Sequence, residues 1–379
     1  MATRPTEPSA SKRWAALASA GASACVLLSL DAFGCGSSPE AGYTVGDGGT
    51  PVGNGSGSGG GSSSGSVSSS SSGGNVPEGG LVTNQSNDAG PDIDAACPSG
   101  AGKYIYVVSD QNDLYTFDPT LVPSATAFTK LGPLNCPGET TPPPDDNSGV
   151  NSMAVDRQAT AWVNFSPDGK IFKVDTTQPS LPCVDTNYVS GQGGFTPQLG
   201  MGFATTAAKA VTEVLYVSDN TGPGGACTNT TPGPGCNGLG LGWIDTTSMK
   251  MTTIGSWGSS LAGYNAELSG TGDGLLYGFF TTTPSDIATI DKTSANVSAV
   301  TPLSTVDNSQ GGYAFSFWGG DFWIYTAYPT AMDPNATTSV THVVTADGGV
   351  SVVMPDIGFT IVGAGSSTCV PTVPPPPPK

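Results

Sequence analysis

From residue 97 onward the apolar residues fall in short runs rich in Val, Ile, Tyr, Phe, Trp and Thr, each bounded by Gly, Pro, Asn or Asp. That is the signature of strands joined by turns. The clearest stretch is 161–175, Ala-Trp-Val-Asn-Phe-Ser-Pro-Asp-Gly-Lys-Ile-Phe-Lys-Val-Asp. It predicts an apolar strand, a Ser-Pro-Asp-Gly turn and a second strand ending in Asp175. No amphipathic helix is evident. The Ala-containing stretch 205–214 is short and leads directly into Leu215-Tyr216-Val217-Ser218-Asp219, which predicts a loop or hairpin there.

The Asp-ended strand recurs. Tyr115-Thr116-Phe117-Asp118, Phe172-Lys173-Val174-Asp175, Gly242-Trp243-Ile244-Asp245 and Ala288-Thr289-Ile290-Asp291 align, and Val343-Val344-Thr345-Ala346-Asp347 is a looser fifth copy. The steps between these aspartates are uneven, roughly 45 to 70 residues, as for a four-stranded unit with variable loops. An inner strand precedes each later copy (152–155, 201–205, 266–269, 314–318). An aromatic strand follows it (161–165, 214–217, 275–280, 322–327), then the Asp-ended strand. The candidates for a fourth, outer strand are 250–254, 297–300 and 350–353. Four antiparallel strands per repeat form a propeller blade.

The two ends are out of phase. Residues 103–109 form an aromatic strand with no inner strand before it, and 359–365 form an inner strand with nothing after it. Joined, they make one blade. A propeller must close its ring or expose two edges. The expected fold is therefore an all-β, five-bladed β-propeller closed by the C-terminal strand, or six-bladed if the long third copy holds two merged units. Cys97 precedes the first piece and Cys369 follows the last, so a Cys97–Cys369 disulfide would fasten the closure. Cys227 and Cys236 flank a Thr/Pro/Gly loop that a local bridge would staple. Cys136 and Cys183 follow outer-strand regions of consecutive blades and pair by elimination, although six cysteines allow fifteen connectivities.

Composition divides the chain. Of 379 residues, 54 are Gly and 32 Pro, and many cluster with Ser in the first 96. Arg4, Lys12 and Arg13 precede an apolar, small-residue run at 15–30, which reads as a signal peptide spanning 1–34. Ala32-Phe33-Gly34-Cys35 resembles the lipobox of bacterial lipoproteins, with Cys35 the lipidated residue. Ala32 and Phe33 depart from the usual pattern, and plain secretion is the alternative. Residues 35–96 cannot bury enough apolar surface to offset ordering entropy and read as a disordered stalk. As a flexible coil it spans on the order of 45 Å. Residues 97–370 form the propeller, and 371–379 a Pro-rich tail outside any core.

Only 11% of residues are charged and the net charge is −18. Beyond residue 96 the sole arginine is Arg157. So few bases exclude phosphate-driven nucleic-acid binding. Export and eight cysteines point to an oxidising compartment.

Candidate chemistry is sparse. His342 is the only histidine, expected as an exposed strand residue rather than a base. No Ser/His/Asp triad or nucleophile elbow is legible, and the Gly-rich linker lacks the Lys-Ser/Thr and helix of a phosphate loop. Asp118, Asp175, Asp245, Asp291 and Asp347 suit turn hydrogen bonding better than metal binding. The oxygen-rich loops 110–113 and 144–147 lack the spacing of a dedicated Ca²⁺ site, so no cofactor is expected, with Ca²⁺ the one alternative. Trp162, Trp243, Trp318 and Trp323 are expected to pack blade against blade. Glu267 stands out: on an inner strand it faces the axis, where a carboxylate needs water, a partner or a ligand.

The run 266–280, the run Ala314-Phe315-Ser316-Phe317-Trp318-Gly319-Gly320-Asp321-Phe322-Trp323 and the end Ile361-Val362-Gly363-Ala364-Gly365-Ser366-Ser367-Thr368-Cys369 are similar to uncharacterised bacterial secreted lipoproteins with a propeller-type repeat domain. The resemblance covers roughly 97–370 and implies fold and address, not activity. The expected role is non-catalytic binding of a small molecule, glycan or protein, by a monomer held to a membrane only by its lipid. A propeller-type hydrolase or lyase and a structural adhesion module are the alternatives.

Overall fold

The computed structural model describes residues 97–144, 148–220, 239–258, 261–306, 312–328 and 336–375. Cys35, the Gly/Ser linker, Cys227, Cys236, Asp145 and Asp146 lie outside the described residues. Those that are described all belong to one compact unit, and among them no helix is long and apolar enough to cross a membrane.

Five four-stranded antiparallel sheets are present. Blade 1 joins β1 (Ile105–Ser109), β2 (Asp113–Phe117) and β3 (Phe128–Pro133) to the last strand, β20 (Ile361–Ser366), in the order β20-β1-β2-β3. Blade 2 is β4 (Gly149–Val155), β5 (Thr160–Ser166), β6 (Ile171–Asp175) and β7 (Cys183–Asp185). Blade 3 is β8 (Leu199–Thr205), β9 (Glu213–Asp219), β10 (Leu241–Asp245) and β11 (Lys250–Gly255). Blade 4 is β12 (Ala266–Gly270), β13 (Leu276–Phe280), β14 (Ser285–Ile290) and β15 (Val297–Leu303). Blade 5 is β16 (Tyr313–Trp318), β17 (Asp321–Ala327), β18 (Thr338–Val343) and β19 (Val350–Met354). This is a five-bladed β-propeller. β20 pairs with β1 from Ile105↔Ser366 to Ser109↔Ile361, so the C-terminal strand completes the N-terminal blade. The Cys97–Cys369 disulfide fastens the two chain segments beside that seam.

The strand pattern follows the sequence with local differences. The stretch 205–214 is the hairpin between β8 and β9. β18 ends at Val343, so Asp347 stands four residues past the strand, in the turn. The outer strands of blades 1 and 2 have no buried residue: β7 has three residues, and its apolar pattern is too short to read. The Cys136–Cys183 disulfide holds it against blade 1.

The core lies between blades. One cluster fills the space between blades 1 and 2, including Val108, Met153, Phe165 and Phe172. Others join blade 2 to 3 and blade 3 to 4, and the largest, with Tyr277, Phe315, Phe322 and Tyr325, runs from blade 4 through blade 5 to Phe117 of blade 1. Trp162 meets Phe203 edge-on at 5.7 Å, and Trp323 meets Phe117 at 5.4 Å, so both tryptophans pack across blade seams. Each repeated aspartate closes the turn after its strand. Asp118, Asp175, Asp245, Asp291 and Asp347 accept the backbone N–H two residues on, at 3.1, 3.0, 2.8, 2.8 and 2.8 Å. Hydroxyl and amide donors from Thr293 and Ser294 hold the Asp291 carboxyl down at about 2.

The inner strands β4, β8, β12, β16 and β20 approach each other closely around the axis. A Cβ at Gly200 would meet the Ala266 carbonyl, one at Gly270 the Phe203 carbonyl, and one at Gly363 the Met153 amide at 3.2 Å. Glycine at these positions lets neighbouring backbones come together.

Candidate functional site

The ring has two unlike faces. At the face where inner strands end, the connections to the next strand are short turns, and the chain after β20 crosses the axial opening. Thr368 Oγ1 donates to Glu213 Oε2 of blade 3 at 2.8 Å. Its carbonyl stands where a Cβ on Gly272 of blade 4 would be. Arg157 Nη1 of blade 2 reaches Thr368 Oγ1 at 3.4 Å. The Gly319 amide of blade 5 then donates to the Pro371 carbonyl at 2.8 Å, and Val370 is buried in the large core cluster. The first residues of the Pro-rich segment, through Val373 and Pro374, lie against Gly320. One segment thus touches blades 2, 3, 4 and 5 and covers that end of the axis.

Glu213 accepts the Arg157 backbone N–H at 2.8 Å as well as the Thr368 hydroxyl. Burial raises its carboxyl to about 7, against the pull of those two donors.

Toward the other face the axis holds Glu267. Its place on an inner strand points it inward, as the sequence implies, but it is only 2% exposed. Of the water, partner or ligand that the sequence calls for there, the ring supplies partners. The inner strands leave Glu267 enclosed and protein donors satisfy it. Ser152 Oγ of blade 2 donates to Oε2 at 2.7 Å, and Asn220 Nδ2 of blade 3 reaches Oε1 at 3.4 Å. Both partners are themselves fixed. Ser152 Oγ accepts the Met201 amide at 3.2 Å, and Asn220 Oδ1 accepts the Ala266 amide at 3.0 Å. Burial pushes the Glu267 carboxyl up to about 8, outweighing the hydrogen bonds that favour the anion. Tyr313, whose phenol burial raises well above its ordinary range with Glu267 adding to the effect, stands at the same level on β16.

The remaining candidates are committed elsewhere. His342 is not an exposed strand residue: its side chain is 22% exposed, stacks on Trp323 at 4.3 Å and pairs through Nε2 with Asp321 at 2.9 Å. In the 110–113 loop, Asn112 Oδ1 accepts the Val150 amide at 2.9 Å and Asp113 Oδ2 pairs with Lys130 at 2.6 Å, so these two of its four side chains have protein partners. The 144–147 carboxylates lie outside the described residues. Among the described residues no three His, Cys, Asp or Glu side chains form a group that could hold a metal ion.

Sequence reasoning singled out Glu267 but not Ser152, Asn220 or Glu213. Ser152 and Glu267 are 115 residues apart, and nothing local marks a serine on an apolar strand as its partner. Arg157 did carry a signal, as the lone arginine of the folded region.

No known protein family matches the chain, and no curated protein does. Solved structures similar to it include a protein of unknown function from Bacteroides thetaiotaomicron (12% identity, TM-score 0.36, covering 67% of this chain and 58% of that one). A virginiamycin B lyase from Staphylococcus aureus, a catalytically inactive variant with quinupristin, is another (13% identity, TM-score 0.33, 69% and 73%). The Dos1 propeller is a third (10% identity, TM-score 0.36, 72% of each). The chain thus spans little more than half the length of the first of these. At such identities nothing about activity passes from them to this chain.

Proposed function

We propose that this protein is an extracytoplasmic, non-catalytic binding propeller, held on a Gly/Ser stalk and lipid-anchored at Cys35, that engages a small molecule, glycan or protein through the face where its inner strands begin. The asymmetry of the two faces carries this reading. One face is covered by the segment after β20 and fastened by Cys97–Cys369. The three longest connections between strands, 134–148, 186–198 and 220–240, all join strand ends at the other. Binding residues concentrate on loops held by a rigid scaffold. Two disulfides suit an oxidising location.

The test is titration of the full chain against a panel of soluble glycans, with product analysis alongside. Saturable binding without product supports the reading. Turnover that disappears in Glu267→Gln overturns it in favour of a hydrolase or lyase. The anchor is tested separately: Cys35→Ala should move the protein from the membrane fraction to the soluble one, and a variant that stays with membranes removes the lipid from the proposal.

A further inference from the structure

The single arginine of the folded region lies against the ring-closing disulfide, and it treats the two sulfurs differently. Arg157 sits in the turn between β4 and β5, 4% exposed. Its guanidinium Nη2 is 3.3 Å from Cys97 Sγ. Its backbone carbonyl oxygen is 3.7 Å from Cys369 Sγ. A bridged sulfur carries no hydrogen, so the second contact is no hydrogen bond. It sets the negative end of a peptide dipole beside Cys369, while a positive charge stands beside Cys97. The Arg157 amide and Thr368 hydroxyl occupy the two Glu213 oxygens, which fixes this turn against the segment after β20.

Thiol–disulfide exchange is directional. An incoming thiolate attacks one sulfur and the other leaves as a thiolate, faster when its own thiol is more acidic. A neighbouring cation makes a thiol more acidic and a negative dipole does the reverse.

We infer that Cys97–Cys369 is a polarised, exchangeable disulfide that a dithiol opens by attack at Cys369, with Cys97 departing as a thiolate held by Arg157. The new bond joins the incoming sulfur to Cys369 Sγ. The electron pair of the broken bond goes to Cys97 Sγ. The second thiol of the reagent then displaces Cys369, so the dithiol is oxidised to its disulfide and the protein is reduced by two electrons. Both cysteines are half-buried as residues. Cys136–Cys183, whose Cys136 is buried in the apolar cluster that both Cys183 and Cys369 border, is an internal reference in the same molecule.

The test needs no variant at first. The full chain is exposed briefly to reduced glutathione, quenched, alkylated and mapped by mass spectrometry. Glutathione should be found on Cys369 and the alkyl group on Cys97, in excess over the reverse on the order of tenfold. Arg157→Met should slow opening by a similar factor and erase the preference, leaving the rate at Cys136–Cys183 unchanged, and Arg157→Lys should restore part of both. Glutathione on Cys97, an even split in the wild type, or an unchanged rate in Arg157→Met overturns the inference.

Discussion

Ser152 Oγ donates to Glu267 Oε2 at 2.7 Å across the centre of the ring, joining the inner strands of blades 2 and 4, which are not neighbours. The bond places a buried polar contact at the axis. It also places a carboxyl where its charge is costly, and the consequence is a pH dependence of defined sign.

Glu267 has its folded value raised to about 8 from an ordinary 4.5. Between those values the folded chain keeps a proton that the unfolded chain has released, so stability is greatest below 4.5 and falls as pH rises through 8. The full window corresponds to on the order of 5 kcal/mol as an upper figure. Glu267→Gln keeps the neutral shape and loses the titration. It should match the wild type at pH 5 and melt higher at pH 9. Glu213, raised in the same direction, is present in both proteins and cancels. A difference in Tm that does not change with pH would remove this account.

The inner-strand glycines should be intolerant in a way that a turn glycine in open space is not. Gly200→Ala and Gly270→Ala drive a methyl into the Ala266 and Phe203 carbonyls, and separating packed backbones costs about 3 kcal/mol or more. Gly348→Ala, at φ +72 with open space around it, bears only the left-handed conformation, about 1 kcal/mol. Urea unfolding of the three variants gives the ranking.

Removing the ring-closing bond should cost more than removing the other. The closed loops span 272 and 47 residues, for which chain entropy gives roughly 5.5 and 4 kcal/mol as upper figures. Thermal melts of Cys97→Ser/Cys369→Ser and Cys136→Ser/Cys183→Ser test the order. A larger loss in the second pair would mean that β1–β20 pairing closes the ring unaided.

The repeated aspartates should behave as turn residues. Asp291→Ala loses the acceptor for the Thr293 and Ser294 amides and should cost about 1 kcal/mol, as loss of a local side-chain cap does. Millimolar calcium followed by excess chelator should leave Tm unmoved in wild type and variant alike. A calcium-dependent rise lost in Asp291→Ala would reassign the residue as a ligand.

The strand repeat was legible because its causes are local. Side chains alternate along a strand, turns require Gly, Pro, Asn or Asp, and an Asp two residues before its amide donor needs no distant partner. From these the sequence by itself determined a five-fold strand repeat, with a sixth unit left open and outer strands legible in three copies, the split first blade, and the cysteines that flank the seam between its halves. Only the tertiary structure decided what occupies the centre. Whether an axis is open depends on how near five inner strands lie. That spacing is set by glycines meeting carbonyls from the neighbouring blade, such as Gly200 with Ala266, and no local pattern records it. For the same reason Glu267 could be placed facing inward but not paired. Its partners Ser152 and Asn220 come from two other blades, and a buried charge acquires its proton affinity from everything that surrounds it.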